Sequence, residues 1–280
     1  MKASYLTIGL FLLAAFATGC DNISEDDRYI KVEKPVIDNP RNLLIMEFTG
    51  NSCANCPTGA TIVEQLKEEN APGRVISVGL HPEGVHYTEP VKSIYTAPLK
   101  QDLRCGVATA YYKFYNPAGF PCAVFNGLKS SMSTSTGYWK SIATDALKSS
   151  TVMNIDAKSN YDETTRTITV DYSVDFLDYV NNQLNVSVWL VENKIMGTQT
   201  MPDGKTNLNY EHNHVLRASL NGDWGEELGK SFVDGEKKEG TASMTLKEDW
   251  VAENCDVVVF VYGDDNKEVE QAISIPLYEN

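Results

Sequence analysis

Residues 43–57 read LLIMEFTGNSCANCP, and this stretch decides the fold that we expect for the first half of the chain. Its start, from Leu43 to Met46, is continuously apolar, which is typical of a β-strand buried on both faces. The residues from about Ala54 to Glu69 carry apolar side chains on one face, as in an amphipathic helix. A buried strand that leads into a helix at two cysteines predicts an α/β unit with reactive groups at the helix start.

Strand-like and helix-like segments continue to alternate up to about residue 150, which predicts α/β architecture for residues 42–150. Asn126-Gly127 is a dipeptide typical of a tight hairpin turn. The other segments are a strand at residues 74–80, a helical insertion at 97–115, an extended stretch at 120–125 and a helix at 138–148.

From residue 151 onward the hydrophobic period is two, as in residues 167–174, where β-branched and aromatic side chains alternate with polar ones. This pattern, repeated in several short segments, favours an immunoglobulin-like β-sandwich over residues 151–280. A length of 280 residues also suits two domains. The further expected strands are residues 184–191, 210–217, 242–246, 257–262 and 269–275.

Cys53 and Cys56 are expected on the first turn of the helix, where the positive end of the helix dipole stabilises a thiolate. A lowered pKa would let Cys53 attack a disulfide, and Cys56 would resolve the mixed disulfide that results. Glu47 is an acid within an apolar strand, and its burial is costly unless the carboxyl group takes up a proton. Glu47 could therefore accept the proton of Cys56, and the pattern favours thiol–disulfide exchange.

Gly119-Phe120-Pro121 precedes a strand, and a proline there can hold a cis peptide that leaves a backbone edge open for an extended partner. Together with the strand, the acid and the Cys-x-x-Cys helix, this arrangement resembles the thioredoxin superfamily over residues 42–150. The resemblance implies that Cys53 attacks and Cys56 resolves. It also implies that Glu47 is the buried acid and that Pro121 docks the substrate. The long interval between the cysteines and Pro121 departs from the simplest members and implies an insertion.

A narrower resemblance spans nearly the whole chain. Residues 48–57, 210–217 and 257–262 look like the corresponding segments of outer-membrane lipoproteins named for a twenty-eight-kilodalton member. This resemblance implies a thioredoxin-like α/β domain at residues 42–150. It implies that an all-β immunoglobulin-like sandwich follows at residues 151–280 and that a lipid anchor precedes both.

The cysteine pair has two other interpretations, because Cys53 and Cys56 could form an inert structural disulfide or half of a zinc site. His81 and His86 could complete four zinc ligands only if their loop folds over the helix start, and their spacing from the cysteines exceeds that of zinc fingers. No metal is therefore expected. His81 ends a predicted parallel strand, where open α/β sheets place their sites, although a surface position in a proline-glycine loop is the simpler expectation.

Three further cysteines follow in the chain. Cys105 and Cys122 could form a second disulfide, or Cys122 could be a buried strand residue that behaves as a small apolar side chain. Cys255 precedes the last hydrophobic strands and is expected in the core. His212 and His214 alternate along one predicted strand and therefore share a face, where structural hydrogen bonding is expected rather than a metal.

The N-terminus is predicted to direct the protein to the cell envelope. Residues 1–19 contain a lysine, a short apolar stretch and a small-residue ending, which is the layout of a secretory signal. Cys20 follows as in a bacterial lipoprotein cleavage site, so we expect it to carry lipid. Residues 20–41 are expected to form a tether, and residues 24–27 (SEDD) resemble a surface-export signal. The expected location is the outer membrane, facing the surface, with a periplasm-facing orientation as the alternative.

The charge balance argues against nucleic acid as a partner, because 24 lysines and arginines face 38 aspartates and glutamates, for a net charge of −14. The leading hypothesis is a lipid-anchored envelope protein that performs thiol–disulfide exchange on an extracytoplasmic protein, peptide or small thiol, without a cofactor. The alternative is a non-catalytic surface binding or adhesion protein in which Cys53 and Cys56 form a permanent disulfide.

Overall fold

The apolar run at residues 43–48 forms a fully buried strand, and a helix begins at Cys56, as the sequence predicts. The structure, a computed structural model, describes residues 38–90 and 102–278. The predicted signal peptide, Cys20 and most of the predicted tether lie outside these described residues. No helix within the described residues is both long and apolar enough to span a bilayer.

The described residues contain three α-helices and thirteen strands, and strands supply most of the regular structure. In chain order these elements are β1 (Leu43–Phe48), α1 (Cys56–Glu68), β2 (Val75–Leu80), α2 (Gly106–Tyr115), β3 (Cys122–Phe125), α3 (Trp139–Ala146), β4 (Met153–Asp162), β5 (Thr167–Phe176), β6 (Val180–Glu192), β7 (Ile195–Thr200), β8 (Thr206–His212), β9 (Val215–Ser219), β10 (Glu226–Phe232), β11 (Lys237–Thr245), β12 (Cys255–Gly263) and β13 (Val269–Pro276).

One eight-stranded mixed sheet has the strand order β13-β12-β6-β9-β2-β1-β3, and β10 pairs with β6 beside this path. β1 runs parallel to β2 and antiparallel to β3. β9 lies between the two halves of the sheet, because it pairs with β2 at Gly79–Val215 and antiparallel with β6. A second sheet has the order β11-β5-β4, and β7 and β8 form a separate hairpin.

The predicted fold class, an α/β thioredoxin-like domain followed by an all-β immunoglobulin-like sandwich, is wrong. The chain is mostly β, and its main sheet contains strands from both the first and the second half. The physical reason is that β9 pairs with β2 and so joins strands of both halves of the chain in one sheet. Local hydrophobic periodicity does not indicate which strands pair. The described residues accordingly belong to one compact unit. The division into domains at residues 42–150 and 151–280 stays a prediction.

Alternating side chains give the main sheet two covered faces. On one face, Leu44 of β1 packs in the same core as Tyr111 of α2. On the other face, Ile45 packs in one core with Val63 of α1, and helix α3 shares that core. At the opposite end of the sheet, Val188 of β6 lies in a core shared with the β11-β5-β4 sheet. The helices α1 and α3 therefore cover the part of the sheet that holds β1.

Several segments differ from the predictions in their extent. The predicted strand at residues 210–217 is divided into β8 and β9, because His214 adopts a φ of 56° and interrupts the extended backbone. The predicted helix at residues 97–115 begins at Gly106 in the described residues, and residues 97–101 lie outside them. Asn126 and Gly127 have positive φ, as a tight turn requires, but the chain then returns through a single bridge between Ala123 and Ser133.

Candidate functional site

Cys53 and Cys56 form a disulfide at the start of α1, which confirms the predicted pairing. Pro57 occupies the first turn of the helix, where its missing N–H removes no intrahelical hydrogen bond. Both cysteines are only 2% exposed, so the disulfide is closed off from solvent. This burial differs from the accessible Cys53 that the exchange hypothesis requires.

The β7–β8 hairpin covers the disulfide loop on one side. The side-chain amide of Gln199 donates to the backbone oxygens of Gly50 at 3.2 Å and Cys53 at 2.9 Å. Asn51 donates from Nδ2 to the oxygen of Thr198 at 3.2 Å. The sequence pattern did not identify β7 as a strand. The position of the hairpin depends on these long-range hydrogen bonds, which local periodicity does not reveal.

A short segment at residues 86–90 also contacts the disulfide loop. Ser52 donates from its backbone N–H to Tyr87 O at 2.9 Å and from Oγ to Glu89 O at 2.7 Å. The Tyr87 ring stacks on Phe120, with ring centroids 5.2 Å apart. The peptide between Phe120 and Pro121 is cis, as predicted, but Pro121 is buried. Its role in docking a substrate stays a prediction.

Glu47 lies in β1 and is 6% exposed, as its position in an apolar strand predicts. Burial, together with the negative charge of Glu64, raises the pKa of Glu47 to about 8. The helix α1 passes very close to this carboxyl group, because a Cβ placed on Gly59 would lie 2.6 Å from Glu47 Oε1. Glycine at position 59 therefore permits the approach of the helix to the acid. The role of Glu47 as a proton acceptor for Cys56 stays a prediction.

A cavity of about 420 Å³ lies between α1, the end of β2 and β8, and it includes both Glu47 and Cys56 in its lining. Its inner end is polar, because the buried residues Ser77, His81 and His212 line it beside Glu47. Gly79, which pairs with Glu47 across the two parallel strands, also lines the cavity and adds no side chain to it. Sequence reasoning missed this cavity, because it depends on the position of the β7–β8 hairpin.

His81 is 2% exposed, so the expectation of a surface histidine in the following loop is wrong. Burial lowers the pKa of His81 to about 3 and that of His212 to about 4. The two rings meet edge to face with centroids 6.4 Å apart. His86 is exposed, and no group of three or more His, Cys, Asp or Glu side chains in the described residues could hold a metal ion. The zinc interpretation of the cysteine pair thus has no set of ligands in this part of the chain.

His212 and His214 do not share one strand face, because β8 ends at His212 and the backbone turns at His214. His212 Nε2 lies 3.3 Å from the oxygen of Thr198, a structural hydrogen bond of the expected kind. His214 Nε2 lies 2.7 Å from Glu64 Oε1 and 2.7 Å from Lys67 Nζ on α1. These contacts connect the β8–β9 turn to the helix at the rim of the cavity.

The second disulfide between Cys105 and Cys122 is not formed, and both thiols are free. Cys122 is fully buried in β3, and Cys105 packs against the same hydrophobic core. Both side chains therefore have apolar contacts without a disulfide bond between them. Burial raises the pKa of Cys122 to about 12 and that of Cys105 to about 11. Cys255 is likewise buried and free, as expected for a core residue. These protonated thiols are poor nucleophiles at neutral pH.

The comparisons with known proteins agree with a β-rich envelope protein. The family model described as "Outer membrane protein Omp28" matches residues 108–279. No curated protein matches the chain. The structure of HBP35 of Porphyromonas gingivalis is similar with a TM-score of 0.65 at 16% sequence identity, covering 85% of this chain and 76% of that chain. A domain of the outer membrane lipoprotein Omp28 from Porphyromonas gingivalis is 27% identical with a TM-score of 0.34, covering 45% of this chain and 88% of that chain. The likeness to HBP35 shows a shared fold.

Proposed function

The chain belongs to the outer membrane protein Omp28 family, and on that premise we propose that it is a binding protein whose ligand site is the cavity beside Cys56. In this proposal the Cys53–Cys56 disulfide has a structural role. The outer-membrane localisation predicted from the sequence is confirmed by the family membership. Lipid on Cys20, exposure at the cell surface and an extracytoplasmic partner belong to the proposal.

The observation that carries this proposal is a set of unsatisfied polar atoms around one cavity. Within the described residues, Glu47 Oε1, Ser77 Oγ and His81 Nδ1 are buried without a hydrogen-bond partner. All three residues line the cavity of about 420 Å³. A buried polar atom without a partner costs about 1–3 kcal/mol, so a bound polar molecule that supplies partners would recover that free energy. The cavity volume also lies within the usual range of small-molecule sites.

The burial of the disulfide supports a structural role for it. A thiol that attacks a disulfide must reach its sulfur in line, and both cysteines are only 2% exposed. Gln199 of the hairpin also ties the backbone of Cys53 in place. Opening this cover would expose buried side chains and break several hydrogen bonds before exchange could begin.

Thiol–disulfide exchange is the second candidate, and one observation favours it. Glu47 has a pKa of about 8 and lines the same cavity as Cys56, so a carboxyl group able to exchange a proton near neutral pH lies in the region of the disulfide. This candidate requires the β7–β8 hairpin to move away from Cys53, because the side chain of Gln199 donates to its backbone oxygen.

Two measurements on the full chain separate these candidates. We expect the disulfide to resist glutathione buffers, with a reduction potential below about −300 mV, as structural disulfides of exported proteins do. We also expect small polar molecules to shift the NMR signals of His81 and His212 but not that of exposed His86. A reduction potential near −200 mV with rapid alkylation of Cys53 would instead support exchange. A cavity whose histidine signals respond to no class of small molecule would refute the binding function.

A further inference from the structure

We propose that the cavity selects a small organic cation, a primary ammonium, whose N–H groups are received by Glu47, Ser77 and His81. This inference rests on the proposed function, in which the cavity is a ligand site.

The lining of the cavity is acidic. It contains four glutamates and neither lysine nor arginine; the glutamates are Glu47, Glu64, Glu68 and Glu211. Glu64, Glu68 and Glu211 are exposed and therefore lie towards the open side, whereas Glu47 is buried at the inner end. Within the described residues, Glu64 is the one lining glutamate that has a neighbouring lysine, because Lys67 Nζ lies 3.8 Å from its carboxylate. The potential along the path into the cavity therefore favours a positive charge.

The unpartnered atoms at the inner end are acceptors. A carboxylate oxygen and a hydroxyl oxygen accept hydrogen bonds. Burial lowers the pKa of His81 and keeps its ring neutral, so one of its two ring nitrogens carries a lone pair, and Nδ1 is buried without a partner. Nδ1 can therefore accept a hydrogen bond in the tautomer that has its hydrogen on Nε2. When Glu47 is ionised, all three atoms can accept a hydrogen bond, and they then match an ammonium group, which has three N–H donors and no acceptor.

The strand register explains why these groups meet. Ile45 pairs with Ser77 and Glu47 pairs with Gly79 across the parallel strands β1 and β2. Paired residues point to the same face of a sheet, and every second residue along a strand returns to that face. Ser77 and Gly79 therefore lie on the same sheet face as Glu47, the face that α1 covers. His81 follows β2, and its Cε1 lies 3.8 Å from the position of a Cβ placed on Gly79, so the His81 ring extends back over Gly79.

Binding of a cation at this place is coupled to a proton. An empty cavity keeps Glu47 protonated at neutral pH, whereas an ammonium ion favours the carboxylate, so binding releases the proton of Glu47 to solvent. The other titratable groups around Glu47 are Glu64 on α1, His81 after β2, and Tyr210 and His212 on β8. Cys122 of β3 lies close by on the opposite face of the sheet, because Glu47 pairs with Ala123. Burial keeps the two histidines and Cys122 neutral between pH 6 and 8, and it raises the pKa of Tyr210 above its ordinary value. Glu47 is therefore the group expected to release the proton in this range.

The test uses three probes of one length on the full chain: n-butylammonium, n-butanol and butyrate. The four histidines of the protein are the reporters, since His81, His212 and His214 line the cavity and exposed His86 does not. We expect n-butylammonium to shift the three cavity histidines most strongly. Its affinity should rise about tenfold from pH 6 to pH 7 and about fivefold from pH 7 to pH 8, following the ionised fraction of Glu47.

Two variants connect the result to Glu47. Glu47→Gln keeps the shape of the side chain, and it should abolish the pH dependence and weaken n-butylammonium binding at pH 8 by about tenfold or more. Glu248→Gln removes one charge from an exposed turn outside the cavity lining, and it should leave binding unchanged.

The outcomes separate the inference from the function on which it rests. Equal or tighter binding of n-butanol or butyrate at the cavity histidines would overturn the selection of a cation and leave the ligand site in place. A pH-independent affinity for n-butylammonium, or an unchanged affinity in Glu47→Gln, would overturn the role of Glu47. If none of the three probes shifts a cavity histidine, both the inference and the proposed function fail.

Discussion

Replacing Glu47 with glutamine should change how the stability of the protein depends on pH. Burial and the charge of Glu64 raise the pKa of Glu47 from 4.5 to about 8, so the folded protein binds this proton more tightly than the unfolded chain does. A group with a raised pKa contributes stability that is fully present below its unfolded pKa. That stability is lost as the pH rises from about 4.5 to about 8, because burial of the carboxylate becomes necessary.

The size of the effect follows from the two pKa values of Glu47. Each unit of pKa shift corresponds to about 1.4 kcal/mol, so ionisation of Glu47 removes about 2.5 kcal/mol of stability between pH 5 and pH 7. A further loss of about 1 kcal/mol follows between pH 7 and pH 8. His81 and His212 act in the opposite direction, because their pKa values are lowered and their contribution is lost as the pH falls below about 6.5.

Urea unfolding of the wild type and Glu47→Gln at pH 5, 6, 7 and 8 isolates the contribution of Glu47, because the histidine contributions are common to both proteins. The free energy of unfolding of Glu47→Gln minus that of the wild type should increase by about 2.5 kcal/mol from pH 5 to pH 7. The amide N–H of the new glutamine adds a constant offset and leaves this slope unchanged. Glu248→Gln serves as the matched control for loss of an exposed charge. A difference between wild type and variant that stays constant within about 0.5 kcal/mol would mean that Glu47 ionises normally, which would refute the burial argument.

Other substitutions test the packing around the site and one buried ion pair elsewhere in the fold. Gly59→Ala should lower the free energy of unfolding in urea by about 1–3 kcal/mol, because the new Cβ would lie 2.6 Å from Glu47 Oε1. Gly79→Ala should lower it by under about 1 kcal/mol, because the nearest atom to its new Cβ is 3.4 Å away. Equal costs for the two glycines would argue against the close approach of α1. Gln199→Ala removes three hydrogen bonds of the β7–β8 hairpin. Dithiothreitol should then reduce the disulfide about tenfold faster, as measured by thiol release. An unchanged rate would show that the hairpin does not limit access of the reductant to the disulfide. Arg217→Met should lower the free energy of unfolding by about 3–5 kcal/mol, because it removes the guanidinium that lies 2.7 Å from buried Glu192. Adding Glu192→Gln should recover part of this loss. If Arg217→Met alone is as stable as the wild type, Glu192 is not a buried carboxylate that depends on this pair.

The elements that the sequence predicts well are those defined by local pattern. The buried strand at residues 43–48 and the helix that begins near the cysteines are confirmed, because a continuous apolar run and a one-sided apolar face are visible within a few residues. The same reasoning locates β5, whose buried Ile168 and Val170 alternate with more exposed side chains. The burial of Glu47 and the cis peptide before Pro121 are likewise confirmed.

The elements that the sequence does not predict depend on contacts between distant segments. β9 joins β2 through a single pairing, Gly79 with Val215, and no periodicity in either segment indicates its partner. β10 is a polar strand at residues 226–232 that lacks the alternation expected of a half-buried strand. The predicted fold class failed at these places, since hydrogen-bonding edges assigned to two separate domains belong to one sheet.

The β7–β8 hairpin explains why the cysteine pair and the cavity must be considered together. Through Gln199 and Thr198 it ties down the disulfide loop and excludes solvent from Cys53 and Cys56. Residues of β8 also line the cavity, so the element that restricts access to the sulfur atoms also encloses Glu47. Exchange chemistry needs the hairpin to move, whereas binding in the cavity needs it to stay. A variant that loosens the hairpin should therefore increase disulfide reactivity and weaken ligand binding at the same time, and a parallel increase in both would contradict this coupling.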